Sequence, residues 1–380
     1  MLGPRRRAGF RVTRHGREKR LTESSEPGFA EPKPQKSTPL RRLAPRVLIS
    51  LVIAGGFVWA LERGGLPLAP PAGAARLLTW WAIPGFVVLT TLSTFFRTYR
   101  LVHLLRPTHP GISAKRVFSI GLVGYGAIFF APLRLGEMVR PYLLAQDESV
   151  TFAQGIGLVT AERIIDGLVM VLMTSVGLAF SIRVSPLPDH IGQLPIPVSL
   201  VPKALASATL LFGGAFIGMA VLYVTRAWAV GFVRRLAGTF SVKLGDALAR
   251  ILERLILGFS FLPSLRSSSA FVLQTLGCWL AGALSQWVLM AGVGLPATPA
   301  EGCVTMGIIA LGSLLPAGPG FFGAYQVASY TSLAMFFAPA SVVGLGAMFV
   351  FGSYACHVTL NLLMTLLGFY LLSRGRRHAV

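Results

Sequence analysis

Apolar residues in this chain fall into long blocks separated by short polar segments. Six of those blocks, residues 44–61, 77–96, 152–182, 199–225, 268–295 and 341–372, come close to or exceed the about 20 residues a helix needs to cross a bilayer. They read as six full transmembrane helices. Three further apolar stretches are interrupted. Residues 117–133 carry Gly121, Gly124 and Gly126 and run into Pro132; residues 303–315 stop at Pro316; residues 321–338 begin directly after Pro316-Ala-Gly-Pro-Gly320. Proline removes a backbone donor and glycine weakens a helix, so these three stretches read as the arms of two helical hairpins, 113–148 and 301–338, and not as lipid-exposed spans. The expected fold is an all-α polytopic membrane protein, with about six full transmembrane helices plus two re-entrant helical hairpins in an inverted-repeat-like arrangement.

Composition makes the membrane assignment firm. Of 380 residues 53% are hydrophobic and only 13% are charged, against about 25% charged in an ordinary soluble domain, and mean hydropathy is +0.66. Charge then orients the chain. Lys and Arg number 35 against 14 Asp and Glu, a net +21, and the excess is concentrated in a few segments. Residues 1–46 carry a net +9, 97–116 hold Arg97, Arg100, Arg106, Lys115 and Arg116 with no acid, 226–266 carry a net +5, and Arg374, Arg376 and Arg377 close the chain. The positive-inside rule assigns all of these to the cytoplasm. The Pro-rich segment 183–203, with few charges, then belongs outside. With 97–116 inside and 183–203 outside, helix 152–182 supplies the single crossing needed, so 117–133 must enter and return. The same parity makes 303–338 enter from the outer face and return to it. The shared PxxxG spacing of Pro132-Leu-Arg-Leu-Gly136 and Pro316-Ala-Gly-Pro-Gly320, 184 residues apart, agrees with an inverted repeat.

The chain is accordingly organised as a disordered basic cytoplasmic tail at 1–43, a bundle over 44–373 with a cytoplasmic loop at 226–266, and a short basic cytoplasmic tail at 374–380, in the plasma (inner) membrane. The apolar run at 47–61 is read as an uncleaved first helix and not a signal peptide, because Glu62 and Arg63 separate it from the small residues Ala72, Ala74 and Ala75. A nucleic-acid partner is not expected, since no folded basic and aromatic face lies outside the apolar blocks. Cys278, Cys303 and Cys356 show no CxxC spacing and the six His show no HxxxH spacing, so neither a metal nor any other cofactor is expected.

Ionisable residues at membrane depth are costly and usually face a bundle interior or a wet cavity. Two clusters qualify. In Pro132-Leu-Arg-Leu-Gly-Glu-Met-Val-Arg140 a helix would set Glu137 between Arg134 and Arg140, and an Arg fork matches phosphate oxygens; the other reading is an interfacial salt bridge. In Glu162-Arg163-Ile-Ile-Asp166 the two acids share a helix face and Arg163 reaches Asp166; the other reading is an internal pair that holds helices together. The backbone of Pro316, Gly318 and Gly320 offers amides and carbonyls at a hairpin tip, or a plain kink. His357 and Asn361 suit an interhelical hydrogen bond, and Gly213, Gly214 and Gly218 suit close helix packing. No Ser/His/Asp arrangement, Walker motif or post-strand GxGxxG is present.

Four stretches, Arg97-Thr-Tyr-Arg-Leu, Pro132-Leu-Arg-Leu-Gly-Glu-Met-Val-Arg140, Ala161-Glu-Arg-Ile-Ile-Asp166 and Leu315-Pro-Ala-Gly-Pro-Gly320, resemble the flippase-like transmembrane region of lysylphosphatidylglycerol synthases over about residues 45–373. The resemblance implies a bundle with inverted-type halves that handles a phospholipid or lipid-linked headgroup between leaflets, with Arg134, Glu137, Arg140, Glu162, Arg163 and Asp166 among its working positions. The chain departs from the family where Ile128, Phe129 and Phe130 stand in place of an Asn, and where Gly323 stands in place of a Glu. Only eight residues follow Leu372, so no aminoacyltransferase domain is expected. The reading is an integral membrane lipid translocase or transporter. The alternative is a polytopic transferase or accessory subunit acting on a phospholipid- or polyprenyl-linked sugar, with Glu137 or Asp166 as base, and the expected partners are the lipid substrate and either a second copy or an envelope-biosynthesis protein.

Overall fold

The computed structural model describes residues 40–71, 73, 78–146 and 150–377. The side chains at 40–44, 46, 132–134 and 375–377 lie outside that description. Residues 1–39 of the expected basic tail, Ala72, Ala74 and Ala75, the Arg134 side chain and residues 378–380 of the closing tail therefore fall outside the described residues. Contacts divide the chain between Leu43 and Ala44, and the bundle is the larger of the two units.

Every regular element among the described residues is helical: α1 Leu40–Arg63, α2 Ala82–Tyr99, α3 Leu101–Leu105, α4 Ala114–Phe130, a 3₁₀ turn Pro132–Met138, α5 Val139–Leu144, α6 Phe152–Phe180, α7 Leu200–Val224, α8 Arg226–Gly238, α9 Val242–Leu257, α10 Leu265–Gly292, α11 Pro299–Gly312, a 3₁₀ turn Pro319–Phe321, α12 Ala324–Phe336, α13 Pro339–Val343 and α14 Leu345–Arg377. Among the described residues four stretches are long and apolar enough to cross a membrane: α6, α7, α10 and Pro339–Arg374. They coincide with four of the six blocks read from the sequence. Breaks fall where the chemistry requires. Thr151 accepts from the Gln154 amide to cap α6, and Thr298 with Glu301 forms a capping box that starts α11, the Thr298 amide donating to Glu301 Oε2 at 2.8 Å.

Two apolar cores occupy the two ends of the bundle. One gathers Phe86, Leu289, Val304, Tyr330 and Phe349 with Leu61 and Ile191. The other gathers Leu101, Leu104, Ile120, Leu158, Phe261 and Phe271. In a bilayer, helices gain little from leaving apolar lipid, so close packing of small residues carries the association. A Cβ on Gly126 of α4 would lie 1.8 Å from Thr365 Oγ1 of α14, and one on Gly157 of α6 would lie 2.1 Å from the Leu255 carbonyl of α9. Larger residues at either site would force the helices apart.

The interrupted stretches form two helix–turn–helix units, α4 with α5 and α11 with α12, whose tips meet. Phe129 and Phe321 rings pack edge to face at 5.7 Å. Gly320 sits at φ 71°, and a side chain there would crowd both Phe129 and Tyr354; glycine takes that left-handed conformation without steric cost.

Four expectations are corrected. Residues 226–266 are not a loop but largely the helices α8 and α9, tied by Arg234 Nε to Asp246 Oδ1 at 3.2 Å. Arg97 and Arg100 do not sit in a cytoplasmic loop: α2 runs to Tyr99, and Arg100 is fully buried. Residues 132–138 wind as a 3₁₀ turn and not as an α-helix, and the expected pairing of Glu137 with Arg140 is not seen: Arg140, on α5, pairs with Glu162, while Glu137 lines a cavity. Gly213, Gly214 and Gly218 have nothing within 4 Å of a built Cβ; they face outward from α7, and the close contacts fall at other glycines.

Candidate functional site

The end of α2, the middle of α6, Tyr125 of α4 and the first half of α10 converge beside the second core, with the Arg100 guanidinium 5.4 Å from the Phe271 ring. Glu162 and Asp166, one turn apart on α6, share a face, and that face meets Arg100. Its Nη1 donates to Asp166 Oδ1 at 2.5 Å and to Thr275 Oγ1 at 3.0 Å, and its Nη2 donates to Asp166 Oδ2 and Glu162 Oε1, both at 2.7 Å. The Arg100–Asp166 pair is thus bidentate, the geometry in which guanidinium and carboxylate bind most strongly. Trp279 Nε1 adds a donor to Asp166 Oδ1 at 3.1 Å. On the other side of Glu162, Arg140 Nη1 donates to Oε2 and the Tyr125 hydroxyl to Oε1. The Arg140 guanidinium lies 4.3 Å over the Tyr125 ring. Two guanidiniums and two carboxylates close a neutral network that is buried throughout.

Arg163 follows Glu162 by one residue, about 100° around the helix, and so faces elsewhere. It lines a cavity of about 250 Å³ together with Arg97, Glu137 and Asp166. Arg97 Nε donates to Cys278 Sγ at 3.4 Å, and its guanidinium lies 5.6 Å and 5.9 Å from the rings of Tyr125 and Trp279. Among the described residues neither Arg97 nor Arg163 is within salt-bridge distance of a carboxylate, and Arg163 Nε is buried without a hydrogen-bond partner. The two cations stand in the cavity wall while the acids nearby are engaged, Asp166 by Arg100 and Trp279 and Glu137 by an interaction of its own.

A second, apolar groove of about 330 Å³ runs between α5, α6 and α7, lined by Pro141, Val159, Ile164 and Leu211, and it shares Glu137, Arg163 and Phe212 with the cavity. Between the hairpin tips lies a third space of about 150 Å³, lined by Phe129, Pro316, Gly318 and Phe321.

The structure therefore brings Arg140, Glu162 and Asp166 into one network, leaves Glu137 and Arg163 on the cavity, and sets Pro316 and Gly318 on the tip space, with Gly320 packed against Phe129 and Tyr354. The expected Arg163–Asp166 pair is replaced by Arg100–Asp166. At the tip, the Gly318 amide donates to Phe322 O at 3.2 Å and the Phe322 amide to Pro319 O at 3.4 Å, so those two donors are satisfied within the turn. Asn361 Nδ2 donates to His357 O within α14, and His357 Nδ1 faces Ser353 O at 2.9 Å and the Tyr325 hydroxyl of α12 at 3.4 Å. Sequence reasoning assigns no site role to Arg97, Arg100, Tyr125, Thr275 or Trp279. The motif Arg97-Thr-Tyr-Arg is the available signal, but its charges serve equally well as a topology marker. No group of three His, Cys, Asp or Glu among the described residues is arranged to hold a metal ion.

An all-helical bundle with spanning helices, a buried ionic network and an arginine-lined cavity at its centre defines a multi-pass membrane protein with an internal polar site. The sequence profile described as "Lysylphosphatidylglycerol synthase TM region" matches residues 47–371, nearly the whole bundle, and the chain belongs to that family. No curated protein and no solved structure matches the chain.

Proposed function

We propose that the protein is a flippase-like lipid translocase that binds a lipid by an anionic headgroup. The observation that carries this reading is the adjacency of a cationic cavity and an apolar groove that share Arg163, Glu137 and Phe212 in their walls. A headgroup phosphate meets Arg97 and Arg163, acyl chains follow the groove beside α7, and the network of Arg100, Arg140, Glu162 and Asp166 holds the arginine-bearing helices in place. Arg134 and Glu137 lie in the turn at the mouth. The tips around Phe129, Pro316, Gly318 and Gly320 gate the two faces.

Lengths support the topology. At about 1.5 Å per residue, α4, α11 and α12 extend roughly 25, 21 and 20 Å, short of the about 30 Å of hydrocarbon in a bilayer. Two re-entrant hairpins entering from opposite faces, six spanning helices and cytoplasmic termini fit these lengths, and α8–α9 then rests in the cytoplasmic interface with Trp228, Phe232 and Leu236 exposed toward lipid. Acid–base chemistry on a lipid-linked sugar has less support, because both Asp166 oxygens already accept from Arg100.

The test is reconstitution into liposomes with a tail-labelled anionic phospholipid and a leaflet-selective quencher. Protein-dependent movement that is lost in Arg97→Ala and Arg163→Ala is the expected result; movement unchanged in both variants, at equal protein incorporation, ends this assignment.

A further inference from the structure

The cavity wall changes character along its length. Thr90, Thr94 and Arg97 lie at i, i+4 and i+7 on α2, and so form one stripe. Trp279, Gly282 and Gln286 form the matching stripe on α10. The two helices run antiparallel, with Gly292 against Ala82 at one end and Gly277 against Phe96 toward the other. Arg97 with Trp279 therefore marks one level, and Thr90 with Gln286 marks another about 10 Å away, seven residues at the helical rise. All of these residues line the cavity. The first level is cationic. The second is neutral and hydrogen-bonding: Thr90 and Gln286 are buried, Thr90 Oγ1 and Gln286 Oε1 have no partner among the described residues, and His357 and Asn361 of α14 also line the cavity.

The charge inventory is one-sided. Arg97 and Arg163 have no carboxylate within salt-bridge distance among the described residues, whereas the two carboxylates of the wall, Asp166 and Glu137, are both engaged. A cationic end-group carried into this space would approach the guanidinium cations of Arg97 and Arg163, and the Asp166 carboxylate already accepts from Arg100 and Trp279. A hydroxyl would meet the amide oxygen of Gln286 and the hydroxyl of Thr90. Thr90 and Gln286 supply two hydrogen-bonding positions at this level, enough for the hydroxyls of a polyol or a single sugar.

We propose that the cavity selects phospholipids whose phosphate carries an uncharged polyol or single sugar, and rejects headgroups that end in an ammonium. This rests on the lipid-binding reading above and adds the substrate class to it: phosphate at Arg97 and Arg163, hydroxyls at Thr90 and Gln286.

Phosphatidylcholine liposomes containing the full-length protein, with tail-labelled phosphatidylglycerol, phosphatidylethanolamine or phosphatidic acid as separate probes, test it. Phosphatidylglycerol is expected to move about tenfold or more faster than phosphatidylethanolamine, a difference of the size an unpaired charge imposes, and faster than phosphatidic acid, which offers the same phosphate without the polyol. Gln286→Glu, which adds a carboxylate at the neutral level, is expected to narrow or reverse the first preference. Equal movement of phosphatidylglycerol and phosphatidylethanolamine by the wild-type protein overturns the selectivity and leaves lipid translocation standing. Phosphatidic acid matching phosphatidylglycerol overturns the polyol level. Movement of none of the three lipids overturns the translocase reading and the selectivity with it.

Discussion

Arg97 and Arg100 are three residues apart at the end of one helix, and Glu162 and Arg163 are adjacent on another, yet each pair splits between two environments. Arg100 and Glu162 are sealed in a network in which every carboxylate oxygen has a donor. Arg97 and Arg163 stand in the wall of a cavity without a carboxylate partner among the described residues. Charge at membrane depth is therefore not by itself the mark of a binding site. What distinguishes the two regions is whether a carboxylate of the protein supplies the counter-charge, as in the network, or none among the described residues does, as in the wall.

That contrast can be broken most severely from the sealed side. Glu162→Gln leaves Arg100 and Arg140 short of their shared carboxylate, and breaking one partner of a buried pair costs about 3–5 kcal/mol; thermal unfolding in nanodiscs should show the largest loss here, with or without lipid. Gly157→Val is expected to cost about 1–3 kcal/mol through overpacking against the Leu255 carbonyl, a loss read in the same unfolding assay. On the cavity side the effect moves from stability to ligand. Arg97→Ala removes its stacking between Tyr125 and Trp279, worth about 0.5–2 kcal/mol, while enrichment of anionic lipid over the bulk membrane, measured by mass spectrometry of co-purified lipid, should disappear. Stability lost without a change in lipid profile would put Arg97 with the network instead. The smallest effect is expected at Arg234→Ala, whose exposed partner Asp246 leaves only about 0–1 kcal/mol to lose.

The helical blocks at 152–182, 199–225, 268–295 and 341–372 are legible in the sequence because an apolar run long enough to cross a bilayer has few other uses. The shared face of Glu162 and Asp166 is legible too, from helical period alone. The partner that joins them is not. Arg100 lies 62 and 66 residues upstream, and a basic residue at the end of an apolar block looks the same in sequence whether it points to the cytoplasm or into the bundle. The period-four apolar positions Leu244 and Leu248 are the signal for α9 inside the charged 226–266 segment, where net charge masks the pattern. The outward glycines of α7 show the converse: small residues at helical spacing do not say which side has a neighbour.

The ionic network also sets conditions on how the chain is made. Arg97 and Arg100 emerge from the ribosome well before the carboxylates of α6, and Thr275 and Trp279 arrive more than a hundred residues later still. Until α6 is delivered, the two arginines must keep their guanidiniums at the lipid headgroups, stretching along their own side chains to do so. The end of α2 can settle to its final depth only when Glu162 and Asp166 enter beside it. Assembly of the bundle is thus expected to have a checkpoint at the insertion of α6, before which the first half of the chain is a set of loosely held helices and after which it is locked by charge.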